Sequence, residues 1–153
     1  MESDLVSGVV LTPLRIISAQ NGDVLHAIKA SDKTYCGFGE AYFSTVSYNS
    51  IKGWKKHHKM VMNIVVPVGG IQFVIFDDRI GTNSFNKFQT VVLSQNNYCR
   101  LTVPPGVWMG FKGVGKDTNI LMNFSSILHD PSEAINLKLS EIKYEWESAD
   151  EQD

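Results

Sequence analysis

The stretch Lys52-Gly53-Trp54-Lys55-Lys56-His57-His58-Lys59-Met60 crowds lysines and histidines into one short segment. In an extended strand alternate side chains share a face, so Lys55, His57 and Lys59 fall on one side and Trp54, Lys56, His58 and Met60 on the other. The intrinsic pKa of a histidine lies near neutrality, which suits His57 to act as a base. Lys55 could steady a developing anion or, once desolvated, have its pKa lowered enough to take a proton itself. Lys52 offers a phosphate a point charge rather than a bidentate fork. A basic rim facing solvent is the competing reading of the same residues.

Holding such side chains on a wall takes a sheet. The basic stretch runs into two apolar segments, 63–68 and 71–76, and the Gly69-Gly70 pair between them signals a hairpin. Upstream, β-prone runs at 6–11 and 14–18 are broken by Pro13. A turn at 20–23 leads to an extended run at 24–30, and Asp32-Lys33 turns into an aromatic, β-branched strand at 37–46. Downstream of a polar loop at 80–87, strands at 88–94 and 98–103 read as a hairpin about Gln95-Asn96-Asn97. Pro104-Pro105-Gly106 makes a rigid corner before strands at 107–114 and 119–124. Asp130-Pro131-Ser132-Glu133 invites a short helical turn, Ile142 to Trp146 supplies a last aromatic contact, and the acidic tail 147–153 is expected to fray. Short strands at a spacing of roughly 8–12 residues indicate an all-β sandwich or barrel.

At 153 residues the chain fits one domain, 1–153, with material for a hydrophobic core. A formal net charge of −2 gives no global field for nucleic acid or an acidic membrane, so anion binding must be local. No apolar run approaches the roughly 20 residues of a membrane span, and Met1-Glu2-Ser3-Asp4 lacks the positive start of a secretory signal. The expectation is a cytoplasmic protein with Cys36 and Cys99 as reduced thiols.

Several segments carry a family likeness: Gly39-Glu40-Ala41-Tyr42-Phe43-Ser44, Ile51-Lys52-Gly53-Trp54, Asn63 to Gly69 with Phe73 to Arg79, Pro104 to Phe111, Asp130 to Glu133, and Tyr144-Glu145-Trp146. In order and spacing the chain resembles the cupin-fold dTDP-4-dehydrorhamnose 3,5-epimerases, in particular short relatives tied to polysaccharide biosynthesis. The resemblance implies an all-β, cupin-type jelly-roll barrel with few short helical turns. It also implies a homodimer that binds a nucleotide-activated sugar in the barrel mouth and exchanges a proton beside a C4 ketone without cofactor or metal. That chemistry needs a base, a cation or donor for the enolate oxygen, and an acid on the opposite side.

By the resemblance the base is a histidine soon after the Lys-Gly pair, the enolate group a lysine, and the acid a tyrosine on a later strand. Here the base position falls on Lys55, with His57 two residues on. The lysine position falls near Met62 or Asn63, and the tyrosine position near Asn123. Tyr48 and His129 remain candidates for the acid. In the turn that the family offers to the nucleotide the arginine is gone, and His26 stands about where the acidic residue was. Glu40, Asn63, Trp108 and Asn123 complete the residues expected against substrate, with Lys52 near the diphosphate. Metal-binding cupins need spaced histidines, whereas His57 and His58 diverge and Met109 stands at the turn position. Asp77-Asp78-Arg79 reads as an ion pair at a strand end. A non-catalytic member that binds a sugar nucleotide or a partner enzyme is the alternative function.

Overall fold

The computed structural model describes residues 5–147. Buried apolar residues recur with a period of two: Ile64 and Val66, then Ile71, Phe73 and Ile75, then Leu101 and Val103 all join one core cluster. That period is what strands packed face to face demand, and each such side chain contributes on the order of 1.5–3 kcal/mol by burial. Twelve strands result among the described residues: β1 Val10–Pro13, β2 Ile16–Ile17, β3 Val24–Leu25, β4 Glu40–Thr45, β5 Ile51–His57, β6 Met62–Val68, β7 Ile71–Phe76, β8 Phe88–Leu93, β9 Cys99–Val103, β10 Trp108–Gly113, β11 Ile120–Ser125 and β12 Ala134–Asn136.

One five-stranded sheet runs β1-β9-β6-β11-β4 and the other β12-β5-β10-β7-β8, with β2 and β3 as a separate ribbon. Every pairing between these strands is antiparallel. The architecture is the expected all-β jelly roll, with 3₁₀ turns at Pro131–Glu133 and Leu139–Glu141. The tail expected to fray lies outside the described residues except for Glu147, whose carbonyl accepts from the buried Lys112 ammonium.

Two expected hairpins are corrected. Gly69-Gly70 joins β6 to β7, but these strands belong to different sheets. Gly69 takes a φ of 77°, and the Gly70 N–H donates to Asn119 Oδ1 at 2.9 Å. A Cβ on Gly69 would lie 2.3 Å from both that oxygen and Thr118 O, so the glycines form a corner clamped by the segment that leads into β11. Likewise β8 pairs with β7 and β9 with β1 and β6, leaving only a Ser94–Asn97 bridge at the turn. The extended run expected over 24–30 is regular only at Val24–Leu25. Pro13 ends β1 instead of breaking it; β1 is an edge strand, where a missing N–H costs little.

The second sheet is buried on its outer side as well. Trp54, Val74, Trp108 and Ile142 form a separate cluster with Phe76, Phe88, Tyr144 and Trp146 packed against it. The carboxy-terminal segment therefore lies as a cover over β5, β10 and β7. Its aromatic rings meet at centroid distances of 5.7 Å for Trp54–Trp146 and 5.3 Å for Phe88–Tyr144.

Candidate active site between the two sheets

A cavity of about 280 Å³ opens between the sheets. Tyr42 and Ser44 of β4, Met62 and Ile64 of β6, and Leu121 and Asn123 of β11 line one wall; Lys52, Lys55 and His57 of β5, Met109 and Phe111 of β10, and Asn136 of β12 line the other. Its volume falls just below the roughly 300–1,000 Å³ typical of ligand sites.

Strict alternation cannot bring Lys52 and Lys55, three residues apart, to one face. The register supplies the reason: Met109 pairs with Lys55 and Phe111 with Lys52, so β5 carries one residue more than β10 between those pairs. This is a bulge, which re-aims side chains by inserting an unpaired residue. Gly53 and Gly110 make room for it. A Cβ on Gly53 would come within 2.9 Å of the Gly110 Cα, and one on Gly110 within 3.2 Å of the Trp54 ring. The Lys52 ammonium donates to Thr45 O at 2.6 Å.

His57 is buried, and its Nδ1 is held by Glu133 Oε1 in a short contact. The other carboxylate oxygen of Glu133 accepts the backbone N–H groups of His58, Lys59 and Met60 at 3.1–3.2 Å. Three amides wrapped on one oxygen end β5 at His57, so the expected alternation does not extend to Lys59 and Met60. Met60 turns into the barrel core and Lys59 stays exposed. Burial alone would raise the Glu133 pKa, but hydrogen bonds from the His57 ring and from the Lys59 and Met60 amides outweigh it and hold the carboxyl below its ordinary value. An ionised Glu133 fixes Nδ1 as the protonated nitrogen of His57 and leaves Nε2 to accept a proton. A carboxylate that orients an imidazole and stabilises its imidazolium is a recurrent base assembly.

The wall brings together Lys52, Lys55, His57 and Asn123 of the residues expected from sequence. It omits six others. Tyr48 lies half-buried beyond β4, bridging to Gly113, and His129 is exposed on the segment before the Pro131 turn. His26 lines a different, smaller hollow with Arg15, Lys29 and Arg100. Asn63 sits on the outer face of β6, where Oδ1 accepts from Thr102 at 2.6 Å and Nδ2 donates to Thr34 O; its neighbours Met62 and Ile64 take the cavity side. Trp108 also points outward, its indole donating to Asp78 Oδ2 at 2.8 Å. Glu40 shares a strand face with Tyr42 and Ser44 but lies one step past the cavity wall. Asp77 and Arg79 pair at 2.8 Å, as the strand-end reading has it.

Glu133 and Tyr42 are the functional candidates that sequence reasoning missed. Glu133 is 76 positions from His57, so no local spacing joins them. Tyr42 directly faces Asn123 across the β4–β11 ladder, and Asn123 Nδ2 donates to the Tyr42 hydroxyl at 2.9 Å. No group of three or more His, Cys, Asp or Glu side chains among the described residues could hold a metal ion, nor is any helix there long and apolar enough to cross a membrane.

The cavity of this jelly roll carries a carboxylate-backed histidine and two lysines on one wall. Residues 8–153 match the family model of dTDP-4-dehydrorhamnose 3,5-epimerase, and the chain belongs to that family. A dTDP sugar isomerase from Desulfovibrio desulfuricans has a solved structure that is 35% identical, with a TM-score of 0.85 over 87% of this chain and 85% of that one. A probable low-salt glycan biosynthesis epimerase from Haloferax volcanii is 24% identical over 127 residues, 82% of this chain and 81% of its own. A spore coat polysaccharide biosynthesis protein from Bacillus subtilis is 22% identical over 129 residues, 84% of this chain and 85% of its own.

Proposed function

We propose that this protein epimerises a nucleotide-activated 4-keto-6-deoxy sugar, of the dTDP-linked class, for assembly of a surface polysaccharide. The observation that carries the reading is the His57–Glu133 pair on the wall of a sugar-sized cavity. His57 Nε2 takes the proton beside the ketone, Lys55 offsets the charge developing on the enolate oxygen, and Lys52 meets the diphosphate. No step calls on a metal or an organic cofactor. The named activities of the Desulfovibrio and Haloferax relatives support the substrate class and the pathway.

The protein acts, on this reading, as a cytoplasmic homodimer. Support for the dimer comes from β1, an apolar edge strand whose Val10 and Leu11 are 41% and 36% exposed, a ready template for pairing with a second copy. Free Cys36 and Cys99 accord with a reducing compartment.

The test is incubation with a dTDP-4-keto-6-deoxy sugar in deuterated water, followed by NMR at the carbons flanking the ketone. Deuterium enters with the wild type, and His57→Ala lowers its rate by on the order of 10²–10⁴-fold, the usual contribution of a positioned base. Lys55→Ala lowers it less, because the lysine stabilises charge and does not carry the proton. Measurable binding of the sugar nucleotide without any exchange by the wild type would favour a non-catalytic binding module.

A further inference from the structure

Epimerisation needs more than a base. A proton that leaves one face of the enolate must be replaced on the other, so the second proton carrier has to stand across the cavity from His57. His57 belongs to β5 in one sheet, and the facing wall is built by β4, β6 and β11 of the other. Along that wall Met62, Ile64 and Leu121 are apolar, which leaves Tyr42, Ser44 and Asn123 as groups bearing exchangeable protons. An aliphatic hydroxyl and a carboxamide are far weaker acids than a phenol, whose ordinary pKa near 10 lies within reach of proton transfer to an enolate carbon.

We propose that Tyr42 is the proton donor of this enzyme, an assignment that rests on the epimerase reading above. Asn123 prepares it. Its Nδ2 donates to the Tyr42 oxygen at 2.9 Å, so that oxygen accepts and its own hydrogen is not consumed by the pair. The same N–H strengthens as charge grows on the oxygen, which favours the phenolate left after transfer. Asn123 is itself 2% exposed and anchored on Met60 Sδ, so the donor is held from behind. Tyr42 is 38% exposed, which gives the phenolate a route to bulk water.

The proton account closes. His57 Nε2 removes the hydrogen beside the ketone, and the electron pair of the broken C–H bond moves into the enolate. The Tyr42 O–H bond then breaks as a new C–H bond forms on the opposite face and the ketone returns. Water reprotonates the phenolate and accepts the proton from His57, so the net change is one inverted carbon.

Tyr42→Phe separates this role from a structural one, since the ring and its packing remain and only the hydroxyl is lost. In deuterated water the variant is expected to exchange the proton with retention, because His57 still abstracts it and returns deuterium to the same face. Retained exchange stays within about tenfold of the wild type, while inverted product falls by on the order of 10²-fold or more. A folded Tyr42→Phe protein, checked by circular dichroism, that inverts at the wild-type rate would overturn the assignment alone, as would equal loss of exchange and inversion. A wild type that neither exchanges nor inverts overturns the epimerase reading and this assignment with it.

Discussion

Lys55 and Lys56 are neighbours on one strand, yet their surroundings have little in common. Lys56 points outward, where its ammonium lies 2.6 Å from Asp78 and sits 4.7 Å from the centroid of the Trp108 ring. Asp78 in turn accepts the Trp108 indole. Lys55 points inward to the cavity, beside His57 and Lys52 on the same wall. Charge on the outer face is matched by a carboxylate and packed against aromatic rings, the pattern of a face that holds the fold together. On the inner face three basic side chains converge on open space, and the carboxylate there, Glu133, is bound to His57 instead of either lysine. Gathering like charge at a cavity costs stability that only an anionic occupant returns. One strand thus separates stabilising work from ligand work by side, and substitutions on the two sides should fail in different ways.

Trp108→Ala is the largest way to break that contrast. It empties a side chain 5% exposed from the cluster with Trp54, Val74 and Ile142, and removes the Asp78 acceptor's partner. Large-to-small core changes of this kind cost about 3–5 kcal/mol, visible as a lower urea midpoint. Deuterium exchange per folded molecule should stay near wild type, because Trp108 does not line the cavity. Loss of exchange at unchanged stability would mean that the two faces are not separable.

The contrast also explains what could be read in advance. Periodic apolar runs and turn residues made the all-β architecture legible, and the stretch from Lys52 to His57 was legible as a basic wall because its chemistry is local. The sheet order was not. Gly69-Gly70 and Gln95-Asn96-Asn97 have the composition of hairpin turns, yet each joins strands of different sheets, a choice made by tertiary packing that turn residues do not encode. Trp108 is expected against ligand from its type and Asn63 from its place in the family resemblance, but a strand residue's face depends on register, and a shift of one position reverses it. Lys52 shows the same sensitivity, since a bulge between Met109 and Phe111 turns it into the cavity. Glu133 escaped because its bond to His57 is tertiary, and Tyr42 because its meaning comes from the residue opposite it.

Glu133 is the point where the inner face carries stability too, and pH reports it. Its folded-state pKa is depressed below the ordinary 4.5 because the His57 and backbone hydrogen bonds outweigh the opposing effect of burial. The ionised form therefore contributes stability that is complete above about 4.5 and is lost as pH falls through the lower folded value. Glu133→Gln should cost about 1.5–3 kcal/mol near neutrality, the usual worth of hydrogen bonds to a charged group, and should flatten the decline in stability below pH 4.5. It should slow exchange as well, by leaving the His57 ring unoriented. An acid limb equally steep in the variant would show that other carboxylates, Asp77 among them, dominate it.

Asp78→Asn is the smallest and most selective cut. Asparagine keeps an oxygen for the Trp108 indole but removes the charge that Lys56 meets, and the Asp78 side chain is 37% exposed, so solvent screens much of what is lost. The expected cost is about 1 kcal/mol or less, falling further at high salt as the ion pair it probes is screened in the wild type. Burial raises the Asp78 pKa, but the Lys56 and Trp108 hydrogen bonds and the Lys56 charge outweigh it and hold the carboxyl below its ordinary value. The difference between wild type and variant should therefore shrink as acid protonates Asp78. Exchange of deuterium should not change, since Lys56 and Asp78 do not line the cavity between the sheets. A salt-independent loss of exchange in this variant would mean that the outer ion pair sets the position of Lys55 and His57 through the strand they share, and the division between the two faces of β5 would have to be given up.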